Sequence, residues 1–267
     1  MCFGVRDAIA LAQSKAKEQP LTILGDLVHN EAVMAGLQKQ GIEVEHDPAS
    51  VKTQRAMITA HGASERAKAT ARAHGLEIFE GTCPLVHHAH RAVSRLVAEG
   101  FHPIIIGKRD HVEVRGLTED LAQCDIVESE ADVATLPPRA RMGIAAQTTQ
   151  PIERVRQIVA RIRETFPSSE VHFVDTVCQP TKQRQRAAEE LARNCGVVVI
   201  VGGRRSNNTR ELVQTCAKFC ERVHHVERAQ EICADWFEGA TTVGLTAGTS
   251  TPDYLIDEVE AAIRRPV

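Results

Sequence analysis

Three cysteines, Cys2, Cys83 and Cys178, occupy matching positions of a threefold internal repeat and could together bind a metal centre. Each is followed by an amphipathic helical stretch and then by a short apolar segment that ends in glycine. These glycines lie 23, 24 and 24 residues after their cysteines and are Gly25, Gly107 and Gly202. A helix N-terminus favours the thiolate form that binds metal. We therefore expect the three thiolates to meet on a pseudo-threefold axis, with one coordination position of the centre left open.

The spacing of the cysteines distinguishes the metal centres that they could hold. Structural zinc sites usually contain paired cysteines such as C-x2-C, and this sequence has no such pair. Three distant cysteines fit a [4Fe-4S] cluster better, because one iron then stays open for substrate. We expect such a cluster, which can lose one iron to leave [3Fe-4S] or be lost altogether. A zinc-dependent enzyme using the same thiolates stays open, as does a redox pair of Cys216 and Cys220 on one helical face.

The repeat also predicts the fold. Each copy has a strand that ends in glycine (LTILG, PIIIG, VVVIVG) and then a second helix (NEAVMAGLQKQG, EVRGLTEDLAQC, NTRELVQTCAKFC). A second apolar strand follows (AMITAHGAS, MGIAAQTT, VGLTAGTS), and a third helix is predicted to begin near Ser64, Gln150 and Pro252. Strands that alternate with helices indicate parallel βαβ units with right-handed crossovers. We predict an α/β fold, a pseudo-three-fold trefoil of three small lobes with parallel sheets around the central cluster. The predicted lobes are residues 1–82, 83–177 and 178–267.

The first lobe is expected to lack one strand. Cys83 and Cys178 end the apolar segments LEIFEGTC and VHFVDTVC, whereas Met1 alone precedes Cys2. By internal symmetry, a strand of about eight residues belongs before Cys2.

Polar residues that follow the strands form a second group of candidates. Ligands of open α/β sheets bind at the carboxyl ends of the strands, where loops and helix N-termini converge. Histidines, hydroxyls and an amide there could donate hydrogen bonds to an anion such as a diphosphate. Glu113 is a carboxylate that, if shielded from water, would stay protonated near neutrality, as a general acid requires. The other candidates are His29, His61, His111, Thr148, Ser206, Asn207, Asn208 and Ser250.

Composition excludes several classes of protein. The 267 residues are 43% apolar and carry a formal charge of -3, so no global field favours nucleic acid or an anionic membrane. No segment approaches the roughly 20 apolar residues of a membrane span, and none resembles a secretory signal. We expect a cytoplasmic protein with reduced thiols and with neither nucleic acid nor membrane as partner. The sequence sets no oligomeric state.

Nine motifs in order resemble those of the 4-hydroxy-3-methylbut-2-enyl diphosphate reductase (LytB) family. They run from Cys2 to about Asp253 and cover nearly the whole chain. The motifs are MCFGVRDAI, LGDLVHNEAV, TAHGAS, GTCPLV, HVEV, AQTT, DTVCQPTKQRQ, the SNN loop and TAGTSTPD.

The resemblance implies an enzyme of the last step of the non-mevalonate isoprenoid pathway. It would remove an allylic hydroxyl with two electrons and two protons, giving isopentenyl and dimethylallyl diphosphate, with ferredoxin or flavodoxin as electron donor. By motif match, Cys2, Cys83 and Cys178 would bind the [4Fe-4S] cluster. Glu113 would relay the proton, assisted by His111 and Thr148. The diphosphate would be held by His29, His61, Ser206, Asn207, Asn208 and Ser250. The alternative is a non-catalytic iron-sulfur redox sensor of the same fold, which has no need of a diphosphate pocket.

Overall fold

The computed structural model describes residues 1–264, which form nine α-helices and eleven β-strands. The helices are α1 (Phe3–Glu18), α2 (Glu31–Lys39), α3 (Glu65–Ala73), α4 (Pro84–Ala98), α5 (Val112–Thr118), α6 (Ile152–Thr165), α7 (Gln179–Asn194), α8 (Asn207–Cys216) and α9 (Asp253–Ile263). The strands are β1 (Thr22–Leu24), β2 (Glu43–Glu45), β3 (Arg55–Ile58), β4 (Glu77–Glu80), β5 (His102–Ile106), β6 (Asp125–Val127), β7 (Arg141–Ala146), β8 (Glu170–Phe173), β9 (Val197–Val201), β10 (Val223–Val226) and β11 (Val243–Ala247). Within residues 1–264, every helix is too short or too polar to cross a membrane.

The strands of the described residues form three sheets, and every strand pair is parallel. Two sheets share one order, in which the first strand lies between the second and third and the fourth pairs with the third: β2-β1-β3-β4 and β6-β5-β7-β8. The third sheet follows the same order with three strands, β10-β9-β11. The predicted α/β class with a parallel sheet for each repeat is therefore confirmed.

The sheet orders also show where a strand directly before Cys2 would pair, by comparison with the strands before Cys83 and Cys178. The strands that lead to Cys83 and Cys178 are β4 and β8, and each pairs with the third strand of the preceding repeat. The corresponding edge of β11 has no strand among the described residues. The equivalent position therefore lies in the third sheet and not in the first.

The chain divides into two compact units. The smaller unit contains the third sheet and comprises residues 1–6, 28–36 and 179 onward. The larger unit contains the first two sheets and comprises residues 7–27 and 37–178. Each sheet lies within one of the predicted lobes, whereas the lobe boundaries 1–82, 83–177 and 178–267 stay a prediction. The last three residues of the predicted third lobe, 265–267, lie outside the described residues.

The apolar strand β5 is buried on both of its faces in the larger unit. Ile104 and Ile106 pack against α6, while Ile105 packs against α4 and α5. Neighbouring side chains of a strand point to opposite faces, so a sheet covered on both sides needs a continuous apolar run. The apolar face of α6 has helical spacing and consists of Val155, Ile158, Val159 and Ile162. This packing fixes the carboxyl end of the sheet relative to its helices.

The third sheet is built in the same way in the smaller unit. Val198 and Ile200 of β9 pack against α7 and α8, whereas Val199 and Val201 pack against α9. All four side chains are fully buried, and burial of each stabilises the fold by about 1.5–3 kcal/mol. The loops that follow β9 and β11 therefore begin at the ends of tightly packed strands.

Candidate active site

Each repeat-equivalent cysteine is held by the same backbone hydrogen bond. In each sheet, the strand that comes third along the chain is β3, β7 or β11. The N–H of each cysteine donates to the carbonyl oxygen of the residue two positions after the end of one of these strands. The pairs are Cys2 with Thr249 at 2.9 Å, Cys83 with Ala60 at 3.1 Å and Cys178 with Thr148 at 3.0 Å. The threefold repeat of the sequence therefore extends to individual hydrogen bonds.

The three cysteines also share their relation to a helix. Each directly precedes a helix of 15 or 16 residues, which is α1, α4 or α7. The free N–H groups and the dipole at a helix N-terminus stabilise a thiolate. All three are partly exposed thiols, and no disulfide forms within residues 1–264. Each position therefore suits a thiolate ligand.

The segments LEIFEGTC and VHFVDTVC predict strands that continue to the cysteines, but β4 ends at Glu80 and β8 at Phe173. Beyond these ends, single hydrogen bonds to the neighbouring strand replace regular strand pairing. Gly81 donates its N–H to the carbonyl oxygen of Ile58 at 3.0 Å, and a Cβ atom at Gly81 would overlap that oxygen. Thr176 uses its hydroxyl instead of its backbone. Its Oγ1 accepts from the N–H of Ala146 at 2.8 Å and donates to the carbonyl oxygen of Ala146 at 2.6 Å. These contacts fix the backbone between β4 and Cys83 and between β8 and Cys178.

Glu113 is a buried carboxyl group of the larger unit, with 1% of its surface exposed. Its Oε1 accepts a hydrogen bond of 2.7 Å from the backbone N–H of Thr148. Burial raises the pKa of Glu113 to about 7, against the opposing effect of hydrogen bonds from the backbone and hydroxyl of Thr148. Glu113 can therefore gain or lose a proton near neutral pH.

Two histidines of the larger unit are linked to Glu113, His111 by a direct hydrogen bond and His61 through its contact with the ring of His111. His111 is the N-cap of α5, and its Nδ1 accepts the backbone N–H of Glu113 at 3.1 Å. Because Nδ1 is the acceptor, the proton of the neutral ring lies on Nε2. The ring of His61 meets that of His111 edge to face, with centroids 5.6 Å apart. The predicted residues His61, His111, Glu113 and Thr148 thus belong to one connected group.

In the smaller unit, Asn208 presents a buried donor. Only 2% of its surface is exposed, and its Oδ1 accepts the backbone N–H of Thr249 at 2.9 Å. Its Nδ2 has no hydrogen-bond partner among the described residues. The same helix, α8, begins at Asn207 and is capped by Ser206, whose Oγ accepts the N–H of Thr209 at 3.3 Å. A helix N-terminus with a buried amide donor favours an anion.

His29 and Ser250 belong to the same unit and are linked through the backbone. The hydroxyl of Ser250 lies 3.5 Å from the carbonyl oxygen of His29, which accepts its hydrogen bond. The loop after β9 also approaches this carbonyl, because a Cβ atom at Gly203 would lie 2.5 Å from it. Glycine is therefore required at position 203 for this approach.

The family of the chain follows from its sequence. The profile of the LytB protein family matches residues 1–264. The chain belongs to the LytB family. Among its relatives, the 4-hydroxy-3-methylbut-2-enyl diphosphate reductase of Pelobacter propionicus is 36% identical over 98% of this chain and 94% of the relative. The reductase of the same name from Aquifex aeolicus is 33% identical over 98% of this chain and 92% of the relative.

Solved structures of LytB reductases have the same fold. The E-1-hydroxy-2-methyl-but-2-enyl-4-diphosphate reductase of Plasmodium falciparum matches all of this chain and 86% of its own, with a TM-score of 0.92 and 26% identity. A second structure, of (E)-4-hydroxy-3-methyl-but-2-enyl diphosphate reductase, the terminal enzyme of the non-mevalonate pathway, is 32% identical. It matches 99% of this chain and 95% of its own, with a TM-score of 0.71. The resemblance inferred from the nine motifs is confirmed.

The structure connects most of the predicted LytB site residues within each unit. In the larger unit, Thr148 bonds both Glu113 and Cys178. In the smaller unit, Thr249 bonds both Cys2 and Asn208. The roles of these residues as cluster ligands, proton donor or diphosphate contacts stay predictions.

Sequence reasoning overlooked three residues of this LytB chain that shape the site. Thr176 positions the approach to Cys178, Gly203 permits the approach to His29, and Arg184 bonds the carbonyl oxygen of Ala247 at the end of β11. The paired glycines of VGGRRSNN could have indicated the close backbone approach at Gly203. The other two, Thr176 and Arg184, lie within the motif DTVCQPTKQRQ, but the motif does not show which of its residues make these contacts.

Proposed function

We propose that this LytB protein removes the allylic hydroxyl of 4-hydroxy-3-methylbut-2-enyl diphosphate by reduction. Two electrons and two protons replace the carbon–oxygen bond with a carbon–hydrogen bond and release water, giving isopentenyl and dimethylallyl diphosphate. This is the last step of the non-mevalonate isoprenoid pathway. The observation that carries the proposal is the buried Glu113, whose pKa of about 7 suits a proton donor near neutral pH. Relatives named for this reductase match 98% of the chain, which supports the same substrate.

The three equivalent thiols fit an iron-sulfur cluster, and we assign its ligands to Cys2, Cys83 and Cys178. Each directly precedes a long helix and is held by the same backbone hydrogen bond, so the set offers three thiolates in equivalent surroundings. A [4Fe-4S] cluster on three thiolates would supply single electrons and an iron without a protein ligand as a Lewis acid. The electrons would come from a one-electron protein donor, either ferredoxin or flavodoxin.

The diphosphate is assigned to residues that offer hydrogen-bond donors with little net charge. The clearest is Nδ2 of Asn208, a buried donor that gains a hydrogen bond when an anion binds. The N-terminus of α8 adds its backbone N–H groups and the Ser206 hydroxyl. The full proposed set is His29, His61, Ser206, Asn207, Asn208 and Ser250.

Glu113 is the proposed source of the proton that leaves with the hydroxyl oxygen. In its neutral form it donates this proton, so that water and not hydroxide is the leaving group. The N–H and hydroxyl of Thr148 then stabilise the carboxylate that remains. His111 holds the backbone of Glu113 through its ring, and this fixes the first turn of α5.

Anaerobic purification and one turnover assay test this function. We expect brown protein that contains iron and sulfide and that converts the hydroxylated diphosphate to both products with a strong one-electron reductant. Colourless, zinc-loaded protein would support the zinc enzyme and contradict the proposal. Protein that holds the cluster but does not consume substrate would favour the redox sensor. The buried donor of Asn208 argues against the sensor, which has no need of a diphosphate site.

A further inference from the structure

The loops that lead to α5 and α8 are equivalent in two successive repeats. Each begins at the glycine after the first strand of its sheet, and four residues later comes the N-cap of the helix, His111 in one loop and Ser206 in the other. Two residues after the N-cap stand Glu113 and Asn208. Each of these side chains accepts a backbone N–H from the residue two positions after β7 or β11. The two loops therefore place different chemistry by the same geometry.

In the smaller unit, one carboxylate holds the start of the loop before α8. Glu227 directly follows β10, and its Oε1 accepts the backbone N–H of Arg204 at 2.7 Å. Its Oε2 also forms an ion pair of 3.6 Å with Nε of Arg204, and the side chain of Glu227 is only 19% exposed. Glu231 completes the group, because its Oε1 accepts the N–H of Glu227 at 3.1 Å and its Oε2 accepts Nη2 of Arg204 at 2.5 Å. The loop is thus held through both the backbone and the side chain of Arg204.

The larger unit repeats this arrangement before α5. Glu128 directly follows β6, and its Oε1 accepts the backbone N–H of Arg109 at 2.9 Å. The N–H of Glu128 donates to Oδ2 of Asp132 at 2.8 Å, as that of Glu227 donates to Glu231. Each arginine stands two residues after the glycine that ends the strand and two residues before the helix cap. The carboxylate therefore fixes each loop midway between its strand and its helix.

We propose that Glu227 and Glu128 are positioning residues for the two halves of the proposed reaction. Glu227 fixes the loop that places Asn208 for the diphosphate, and Glu128 fixes the loop that places Glu113 for proton transfer. The inference rests on the proposed function and deepens it, because neither carboxylate belongs to the proposed site. A carboxylate suits this role, since its hydrogen bond to a backbone N–H is charge-assisted and stronger than one between neutral groups. Functional groups must be held within about 0.5 Å of their working positions, so a loosened loop impairs them.

Substitution separates the two positioning roles from each other and from folding. Glu227→Ala and Glu128→Ala remove the acceptor, whereas Glu227→Gln and Glu128→Gln keep an acceptor oxygen without the charge. Glu221→Ala and Glu130→Ala are the matched controls, because each removes the same charge from an exposed glutamate of the same unit. All proteins are reconstituted anaerobically with iron and sulfide. Calorimetry gives the affinity for inorganic diphosphate, and turnover of the hydroxylated diphosphate gives kcat and KM.

We expect Glu227→Ala to bind inorganic diphosphate about 10-fold more weakly and to raise KM by a similar factor, with kcat close to that of wild type. Glu128→Ala should show the opposite split, because Glu113 acts in the chemical step and not in binding. Its kcat should fall about 5- to 10-fold, since water competes for the bonds of the exposed Glu128, while diphosphate affinity and KM stay unchanged. Both glutamine variants and both controls should stay close to wild type.

The opposite splits separate positioning from a general loss of structure, which would lower kcat and affinity together in each variant. If wild-type protein neither binds diphosphate nor consumes the substrate, the proposed function fails and this inference fails with it. If wild type is active and both alanine variants match it, the inference alone fails. Loss of kcat and affinity in the same proportion in both alanine variants would also overturn it, as would glutamine variants that are as impaired as the alanine variants.

Discussion

Glu113 accepts the backbone N–H of Thr148 at 2.7 Å, across 35 residues of sequence. The carbonyl oxygen of Thr148 accepts the N–H of Cys178 at 3.0 Å. Thr148, which follows β7, therefore positions both the proposed proton donor Glu113 and the proposed cluster ligand Cys178. A shift of this loop would move both groups together.

Replacement of Glu113 by glutamine tests the proton role. Glutamine has nearly the same shape, and its side-chain oxygen can still accept the N–H of Thr148, but it cannot donate an acidic proton. We expect Glu113→Gln to keep its iron content and its fold while turnover falls by about 10²- to 10⁴-fold. Glu130→Gln, an exposed change in the same unit, should not affect turnover. Unchanged turnover in Glu113→Gln would remove Glu113 from the mechanism.

The raised pKa of Glu113 predicts a pH dependence of stability. Its pKa is about 7 in the folded protein, above the ordinary value of 4.5, so the folded state binds the proton more tightly. The associated stability is fully present below about pH 4.5 and is lost as pH rises through 7. Denaturant unfolding should therefore show wild type losing stability relative to Glu113→Gln between pH 5 and 8. A difference that is constant over this range would show that the carboxyl group titrates normally.

Asn208→Asp removes the buried donor of the proposed diphosphate site. Aspartate can still accept the N–H of Thr249, but it lacks the Nδ2 donor and adds a negative charge. Loss of one donor to an anion costs about 1–3 kcal/mol, so affinity for inorganic diphosphate should fall about 10- to 100-fold. Isothermal calorimetry gives the affinity, with the exposed change Asn194→Asp as control. Equal binding by Asn208→Asp and wild type would exclude this donor from the site.

Gly203→Ala should disturb the loop after β9. The added Cβ atom would lie 2.5 Å from the carbonyl oxygen of His29, so the two segments must move apart. We expect a lower melting temperature and weaker diphosphate binding. Gly36→Ala is the control, because an added Cβ there meets no described atom within 4 Å and alanine favours the α2 helix. It should raise stability by about 0.5–1 kcal/mol. A Gly203→Ala protein as stable as wild type would contradict the close approach.

No strand of the described residues pairs with the outer edge of β11, so an added strand is expected to pair there. Residues 76–82, LEIFEGT, lead to Cys83 and contain β4, which pairs with β3. A copy of this segment placed directly before Cys2 should pair in parallel with β11, raise the melting temperature and slow hydrogen exchange of the β11 amides. The same extension with proline at alternate positions cannot donate to the sheet and should give no protection. Equal exchange with both extensions would contradict the threefold equivalence of the sheets.

The regular elements could largely be predicted from the sequence, because their signals are local. The continuous apolar runs PIIIG and VVVIVG predicted the buried central strands β5 and β9, and the third helices begin close to Ser64, Gln150 and Pro252, as their patterns predict. The helix predicted for EVRGLTEDLAQC was too long, since α5 ends at Thr118. The strands before Cys83 and Cys178 were also predicted too long. Hydrogen bonds to distant residues replace strand pairing there, and periodicity does not reveal such bonds.

The sequence by itself determined the threefold repeat, the three equivalent cysteines and the LytB family, because these depend on residue types at fixed spacings. Tertiary structure alone decided the properties of the candidate groups. The burial that raises the pKa of Glu113 and the bond between Asn208 and Thr249, 41 residues apart, depend on packing between distant segments. The hydrogen bond from Arg184 to the carbonyl oxygen of Ala247, 63 residues away, is of the same kind. Burial and unpaired donors are properties of a position in space, and a sequence specifies them only through the complete fold.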